Sequence, residues 1–172
     1  MASLLPIIDD ILPMILPSSV SVTRKSDIIP PIPPVIPTTT ADGERGSHRV
    51  RVYSRDAVVN KLDKVCSTVL ILSPNSYSTV RHHGEQDAII YVASGSGVLL
   101  TAPKDEGSEP KRHELGQGDF AAVPAWTEYQ ALNESSAEQD THWVIIRSGS
   151  HPVEVHLKGW GRGKAEYPPS RA

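Results

Sequence analysis

The stretch Arg81 to Gly97, R-H-H-G-E-Q-D-A-I-I-Y-V-A-S-G-S-G, sets two imidazoles and two carboxylates directly before an apolar run. His82, His83, Glu85 and Asp87 are the residue types that hold a divalent transition metal or move protons near neutral pH. Ala88 to Ala93 reads as a buried strand, closed by the Gly95-Ser96-Gly97 turn. A catalytic metal normally takes three or more protein ligands with one position open. Adjacent strand residues point to opposite faces, so His82 and His83 supply such a set only where a bulge re-aims them.

A second cluster runs from Gly118 to Asn133, G-D-F-A-A-V-P-A-W-T-E-Y-Q-A-L-N. It predicts a strand over 120–123, a corner at Pro124 and a return strand over 127–131. Alternation puts Tyr129 on the side of Thr127 and Ala131. Trp126, Glu128 and the later Trp143 offer flat or charged surface to a ligand, with Trp126 and Trp143 equally readable as core.

At these residues the chain resembles the cupin superfamily. Its motifs are written G-x5-H-x-H-x3,4-E-x6-G and G-x5-P-x-G-x2-H-x3-N. Gly118, Pro124 and Asn133 match the second motif at its spacing, and Gly95 closes the first. H-H-G-E-Q-D, P-A-W-T-E-Y-Q and L-K-G-W-G (Leu157 to Gly161) are similar to short, single-domain fungal cupins. The resemblance covers roughly residues 48 to 157 and implies an all-β fold: a double-stranded β-helix, or jelly-roll, barrel.

It also implies a metal site, from which this sequence departs. In the motif register the two histidines fall on Arg81 and His83, the glutamate on Ala88 and the third histidine on Tyr129. Only His83 keeps a ligand type, so no metal is expected to be required. The resemblance makes the Tyr129 side the barrel cavity, which brings Tyr129, His83 and Arg81 together as an acid-base group. Imidazole shuttles the proton, phenol donates to a developing oxyanion, and guanidinium favours an enolate or carboxylate. His82, Glu85, Trp126, Glu128 and Trp143 are the expected substrate-binding residues.

The function expected first is therefore a lyase, isomerase or cyclase. Its substrate would be a small carbonyl-bearing molecule, aromatic or polyketide-derived. A metal-dependent dioxygenase or decarboxylase would instead use His82, His83, Glu85 and Asp87. A non-catalytic ligand-binding cupin is the third reading.

Composition bounds these readings. The chain has 172 residues and a net charge of -3, with a pI near 6.1, so no basic field recommends nucleic acid. Cys66 is the single cysteine, which excludes an internal disulfide; its apolar neighbours read it as a small buried side chain. The first 37 residues carry eight of the 15 prolines among Leu, Ile, Val and Met. Asp9 and Asp10 interrupt any leader-like core there, so secretion is not expected and the assigned compartment is the cytoplasm. No apolar run reaches membrane-spanning length.

Three regions follow: a Pro-rich apolar extension over 1–46, a barrel over 47–158 and a tail over 159–172. In the extension, I-I-D-D-I-L predicts a short helix and 28–36 an extended apolar strap lying on the barrel or a second subunit. A homodimer is the expected assembly. In the barrel, strands are expected over 48–53, 66–72, 98–102, 111–115, 141–147 and 152–157. Ser54 is read as the N-cap of a helix over 55–62. His113, His151 and His156 are read as surface, and the tail as running over the surface with Trp160 set in a groove or subunit contact.

Overall fold

Residues 19–28, 35–39, 45–49, 52–103, 105, 108–135, 139–161 and 165–166 are described by a computed structural model of the chain. Strand runs rich in Val, Ile, Leu and Tyr pair entirely antiparallel. Among the described residues one short helix, α1 (Lys25–Ile28), precedes them. A hairpin of β1 (Val35–Thr39) and β2 (Arg45–Arg49) stands as its own two-stranded sheet.

Two larger sheets enclose the core. The first is five-stranded and is ordered β10 (Phe120–Val123), β7 (Ala88–Ser94), β12 (Thr141–Ser148), β4 (Val65–Leu72), β3 (Val52–Val58). The second is ordered β14 (Ala165–Glu166), β13 (Val155–Leu157), β6 (Val80–His82), β11 (Tyr129–Asn133), β8 (Gly97–Thr101), β9 (Lys111–Leu115), with β5 (Ser76–Tyr77) also on β11. This is the expected all-β class, a double-stranded β-helix with two facing sheets. Strands β10 and β9 are the free edges on one side, and the barrel is open between them.

Period-two alternation decides what fills the interior. Leu70 and Leu72 of β4, Ile90 and Val92 of β7, and Trp143 and Ile145 of β12 are buried and pack with Leu99, Val123, Tyr129 and Ala131. Burying each large apolar side chain contributes roughly 1.5–3 kcal/mol. The run over 88–93 is buried on one face only, since Ile89 is exposed while Ala88, Ile90 and Val92 are covered. Cys66 is wholly buried, as its neighbours imply.

Three sequence expectations need correction. Of the segment read as a helix over 55–62, residues 55–58 are the end of strand β3, paired with β4 from Val52↔Leu72 to Asp56↔Thr68, and 59–62 form bends. That non-local ladder outweighs the local capping signal of Ser54, a weak prior once tertiary pairing is available. The last strand of the expected barrel is shorter than expected, Val155–Leu157: Pro152 lacks the N–H a ladder needs, and the Val153 N–H donates to Gln86 Oε1 instead. Within the stretch read as a surface tail, Ala165–Glu166 extends the second sheet beside β13.

The helix expected between Pro6 and Pro13 lies outside the described residues, as do residues 29–34 of the strap. The chain that enters at 19 is tied to the first sheet by Thr23 Oγ1, which donates to the Ala57 carbonyl at 2.5 Å. Among the described residues no helix is long and apolar enough to cross a membrane.

The Gly95-Ser96-Gly97 turn shows why its glycines are there. Gly95 sits at φ +75, the left-handed region that favours glycine. A Cβ on Gly97 would stand 2.6 Å from the Leu132 carbonyl oxygen and 2.7 Å from the Trp143 ring. Gly97→Ala should therefore lower unfolding free energy in urea by about 2 kcal/mol, the usual cost of overpacking. A change below about 0.5 kcal/mol would mean that Trp143 is not held where the ladder puts it.

Candidate functional site

Arg81 enters the interior from β6, where it pairs in register with Tyr129 of β11. His83 follows two residues later on the same side, as alternation requires. Arg147 arrives from the opposite sheet at the end of β12, two residues past Ile145 in the inward series Thr141, Trp143, Ile145. Tyr129, Arg147, His83 and Arg81 are 0%, 1%, 2% and 3% exposed. The expected catalytic trio is thus brought together and faces inward.

Its bonding is specific. Tyr129 Oη lies 2.8 Å from His83 Nε2, and Arg147 Nε donates to His83 Nδ1 at 3.0 Å. A guanidinium keeps its protons in proteins, so Nδ1 must be the acceptor. We assign the ring proton to Nε2 on that ground, directed at the Tyr129 oxygen. The Val153 carbonyl, 3.1 Å from Nδ1, then faces a second acceptor across an unfavourable contact. Arg147 also donates to Thr68 Oγ1 at 2.8 Å and to Glu154 at 2.5 Å. Arg81 reaches the other Glu154 oxygen at 3.5 Å and lies over the Tyr129 ring, Cζ to centroid 5.8 Å. Among the described residues the Arg81 Nε has no hydrogen-bond partner.

Two guanidiniums thus share one carboxylate, and the titrating groups respond. Burial and then Arg147 push His83 down to about 4 against an ordinary 6.5, so the ring is neutral at physiological pH. Burial pushes the Tyr129 phenol up, against the opposing pull of Arg81 and Arg147. Burial alone would raise Glu154, but Arg81 and Arg147 outweigh it and hold the carboxyl below its usual range.

A separate space opens beside this cluster, a cleft of about 790 Å³ between β9 and β10. Leu99, Leu115, Ala121 and Val123 give it an apolar floor, and Trp126, Glu128, Thr101 and His113 are on its wall. His113 Nε2 lies 3.2 Å from Thr101 Oγ1, and Glu128 Oε2 accepts the Gly161 N–H at 2.8 Å. None of Arg81, His83 and Tyr129 lines the cleft.

The remaining expected residues are dispersed. Trp126 and Glu128 reach the cleft, whereas Trp143 is wholly buried in the core. His82 points away from His83 and sits 5.4 Å from the Trp126 ring, its Nδ1 accepting the Gly84 N–H at 3.0 Å. Glu85 is exposed, and Asp87 accepts the Ala125 N–H at 2.9 Å. His82, His83, Glu85 and Asp87 do not converge, and among the described residues no three His, Cys, Asp or Glu side chains do.

The positions that carry metal ligands in the family motif do not fit a cation here either. Both His83 nitrogens are engaged, and Arg81 and Arg147 place positive charge beside the ring, where a metal would meet like charge.

Sequence reasoning missed Arg147, Glu154 and His113. Arg147 was readable: the same alternation that buries Trp143 and Ile145 carries it inward. His113 is not a surface residue, since it lies opposite the inward-facing Leu99 in the β8–β9 ladder. His156 is also half-buried, with Nδ1 2.6 Å from Thr79 Oγ1 and Nε2 3.8 Å from Glu154. Only His151 is exposed as expected.

No family model and no curated protein matches the sequence. Solved structures do. An uncharacterized Klebsiella pneumoniae protein with a double-stranded β-helix domain aligns at TM-score 0.52 and 13% identity, over 63% of this chain and 86% of that one. Peruvianin-I, a cysteine peptidase from Thevetia peruviana latex, aligns at 0.54 and 10% identity, over 62% and 67%. Oxalate oxidase in complex with glycolate aligns at 0.52 and 14%, over 62% of this chain and 55% of its own length. The chain has a double-stranded β-helix fold.

The network makes stability fall in acid. A His83 pKa near 4 when folded means that the unfolded ring takes up its proton at higher pH. Stability should therefore drop as pH falls from about 6.5 to about 4, by about 3 kcal/mol. Glu154, held low when folded, adds a further loss as pH falls through its own value. In urea unfolding across this range, His83→Gln should make the slope between pH 6.5 and 4 much shallower, the remainder coming from His142, which burial also lowers, and from Glu154. A slope equal to the parent's would assign it to another group.

Proposed function

We propose that this chain is a small-molecule-binding cupin that works without a metal ion, with its ligand seated in the cleft between β9 and β10. The observation that carries the reading is the cleft itself. Its volume of about 790 Å³ lies within the 300–1,000 Å³ usual for ligand pockets, and it combines an apolar floor with a few polar groups, as such sites do.

Acid-base catalysis by His83, Tyr129 and Arg81 on a carbonyl-bearing substrate is the reading the sequence favours. A proton-transfer group must come within hydrogen-bond reach of its substrate. These three residues are 0–3% exposed and bonded to one another, so the geometry supports ligand binding over turnover at that trio. Metal-dependent dioxygenase or decarboxylase chemistry would need a ligand set that Arg81, His83 and Tyr129 do not supply.

The test pairs metal analysis with a cleft-filling variant. Protein purified without chelators should carry well under one equivalent of iron, manganese, nickel or zinc. It should bind 8-anilinonaphthalene-1-sulfonate saturably, one per chain. Ala121→Trp, which fills the floor, should weaken that binding tenfold or more, a loss of about 1.4 kcal/mol. Stoichiometric metal, or probe binding indifferent to Ala121→Trp, would overturn the proposal.

A further inference from the structure

The turn that leads from β10 to β11 holds a residue its own geometry does not want. Thr127 N–H donates to the Pro124 carbonyl at 3.2 Å, closing a β-turn with Trp126 at its third position. Trp126 has φ 62, the left-handed value that the third position of a type II turn requires and that glycine supplies without strain. The motif G-x5-P-x-G has glycine at this place, two residues after its proline. A bulky side chain with φ above zero is a conformational outlier, and such strain concentrates at functional sites.

Packing does not account for the tryptophan either. Its side chain is 62% exposed, so most of the largest apolar side chain stays in water. What the structure does is hold the turn and back the ring. The Trp126 backbone N–H donates to the Gly84 carbonyl at 2.8 Å. On one side lies the His82 ring, centroids 5.4 Å apart at 39°. Trp126 is also part of the wall of the cleft. A ring carried on a strained backbone, backed by His82 and left largely uncovered on the cleft wall is a stacking surface set in advance.

We infer that Trp126 is a preset platform for a planar aromatic ligand, stacked on its face with the remainder of the molecule over Leu99, Ala121 and Val123. This rests on the cleft being the binding site and names the class of molecule it takes. Flat π-systems gain from offset stacking beyond the area they bury, which a puckered hydrocarbon of equal size does not. The Thr101–His113 pair lies on the same wall to meet a polar substituent.

Calorimetry with 2-naphthoate and its saturated counterpart, decahydro-2-naphthoate, tests this. The parent protein should bind 2-naphthoate at least tenfold tighter. Trp126→Gly should lose that preference and yet unfold at a temperature equal to or above the parent's, because the turn is relieved. Trp126→Phe should keep most of the preference. Equal binding of the two compounds by the parent, or a preference surviving in Trp126→Gly, overturns the inference. So does a lower melting temperature for Trp126→Gly, which would make the tryptophan a packing residue. If both compounds bind equally and Ala121→Trp abolishes both, the cleft stands and the stacking role alone fails; if neither binds the parent, both fall together.

Discussion

Arg147 is the residue around which the interior is arranged. A guanidinium cannot shed its charge, so burying it is costly unless acceptors are brought to its nitrogens. Thr68, His83 and Glu154 are those acceptors, drawn from β4, the end of β6 and the segment before β13. One fixed charge thereby ties both sheets to a loop. It also sets the tautomer of His83, through it the orientation of the Tyr129 hydroxyl, and it lowers the affinity of the imidazole for a proton. Replacing such a network with apolar residues of similar volume is often neutral for stability, whereas removing one partner leaves a buried charge uncompensated. Its members therefore stand or fall together.

Charge balance in the network is uneven. Arg81 and Arg147 share Glu154, while His83 contributes no charge. The face of the Tyr129 ring under Arg81 supplies a further attraction, since aromatic faces carry negative potential. The phenol nevertheless stays protonated, because burial raises its pKa more than the two guanidiniums lower it. The cluster is a stable ground state at neutral pH, with an imidazole that resists protonation and a phenol that resists ionisation. Both tendencies run against ready proton exchange with a substrate.

Much of the barrel was legible in the sequence because it depends on period two and on turn chemistry. The strands at 66–72, 111–115 and 120–123 and the glycine turn at 95–97 follow from local pattern, and the inward side of Tyr129 from the resemblance added to alternation. The helix expected over 55–62 shows where that logic ends. Ser54 and Asp56 carry a capping signal, but β3 gains a ladder against β4 whose partners, from Val52↔Leu72 to Val58↔Ser67, lie well beyond the reach of a helical turn. At the candidate site, the meeting of Arg81, His83 and Tyr129 was readable from motif register and alternation. The closure around them was not, since it needs Glu154 and Val153 from a loop that no periodicity places. His113 was missed because its neighbours Lys111, Arg112 and Glu114 are exposed. An edge strand whose half-buried residues are His113 and Leu115 looks mostly polar when read along the chain.

The separation of charge cluster and cleft has a physical logic. The attraction of Arg147 and Arg81 for Glu154 is strong only while water is kept away, because solvent entering the interior would screen it and hydrate each ion separately. A ligand exchanging in and out of the same space would admit that water at every cycle. Lodging the ligand at the open edge between β9 and β10 avoids the conflict, for there the neighbouring core is Leu99 and Val123, whose contacts do not depend on a dry dielectric. The strain at Trp126 fits the same division. It lies on the rim, 62% exposed, where an unfavourable backbone angle is carried by a hydrogen bond to Gly84 and a ring contact with His82, without disturbing the ions within. A barrel that keeps its charges sealed leaves its edge to the proposed ligand, and among the described residues the edge is where the conformational outlier with a large aromatic side chain is found.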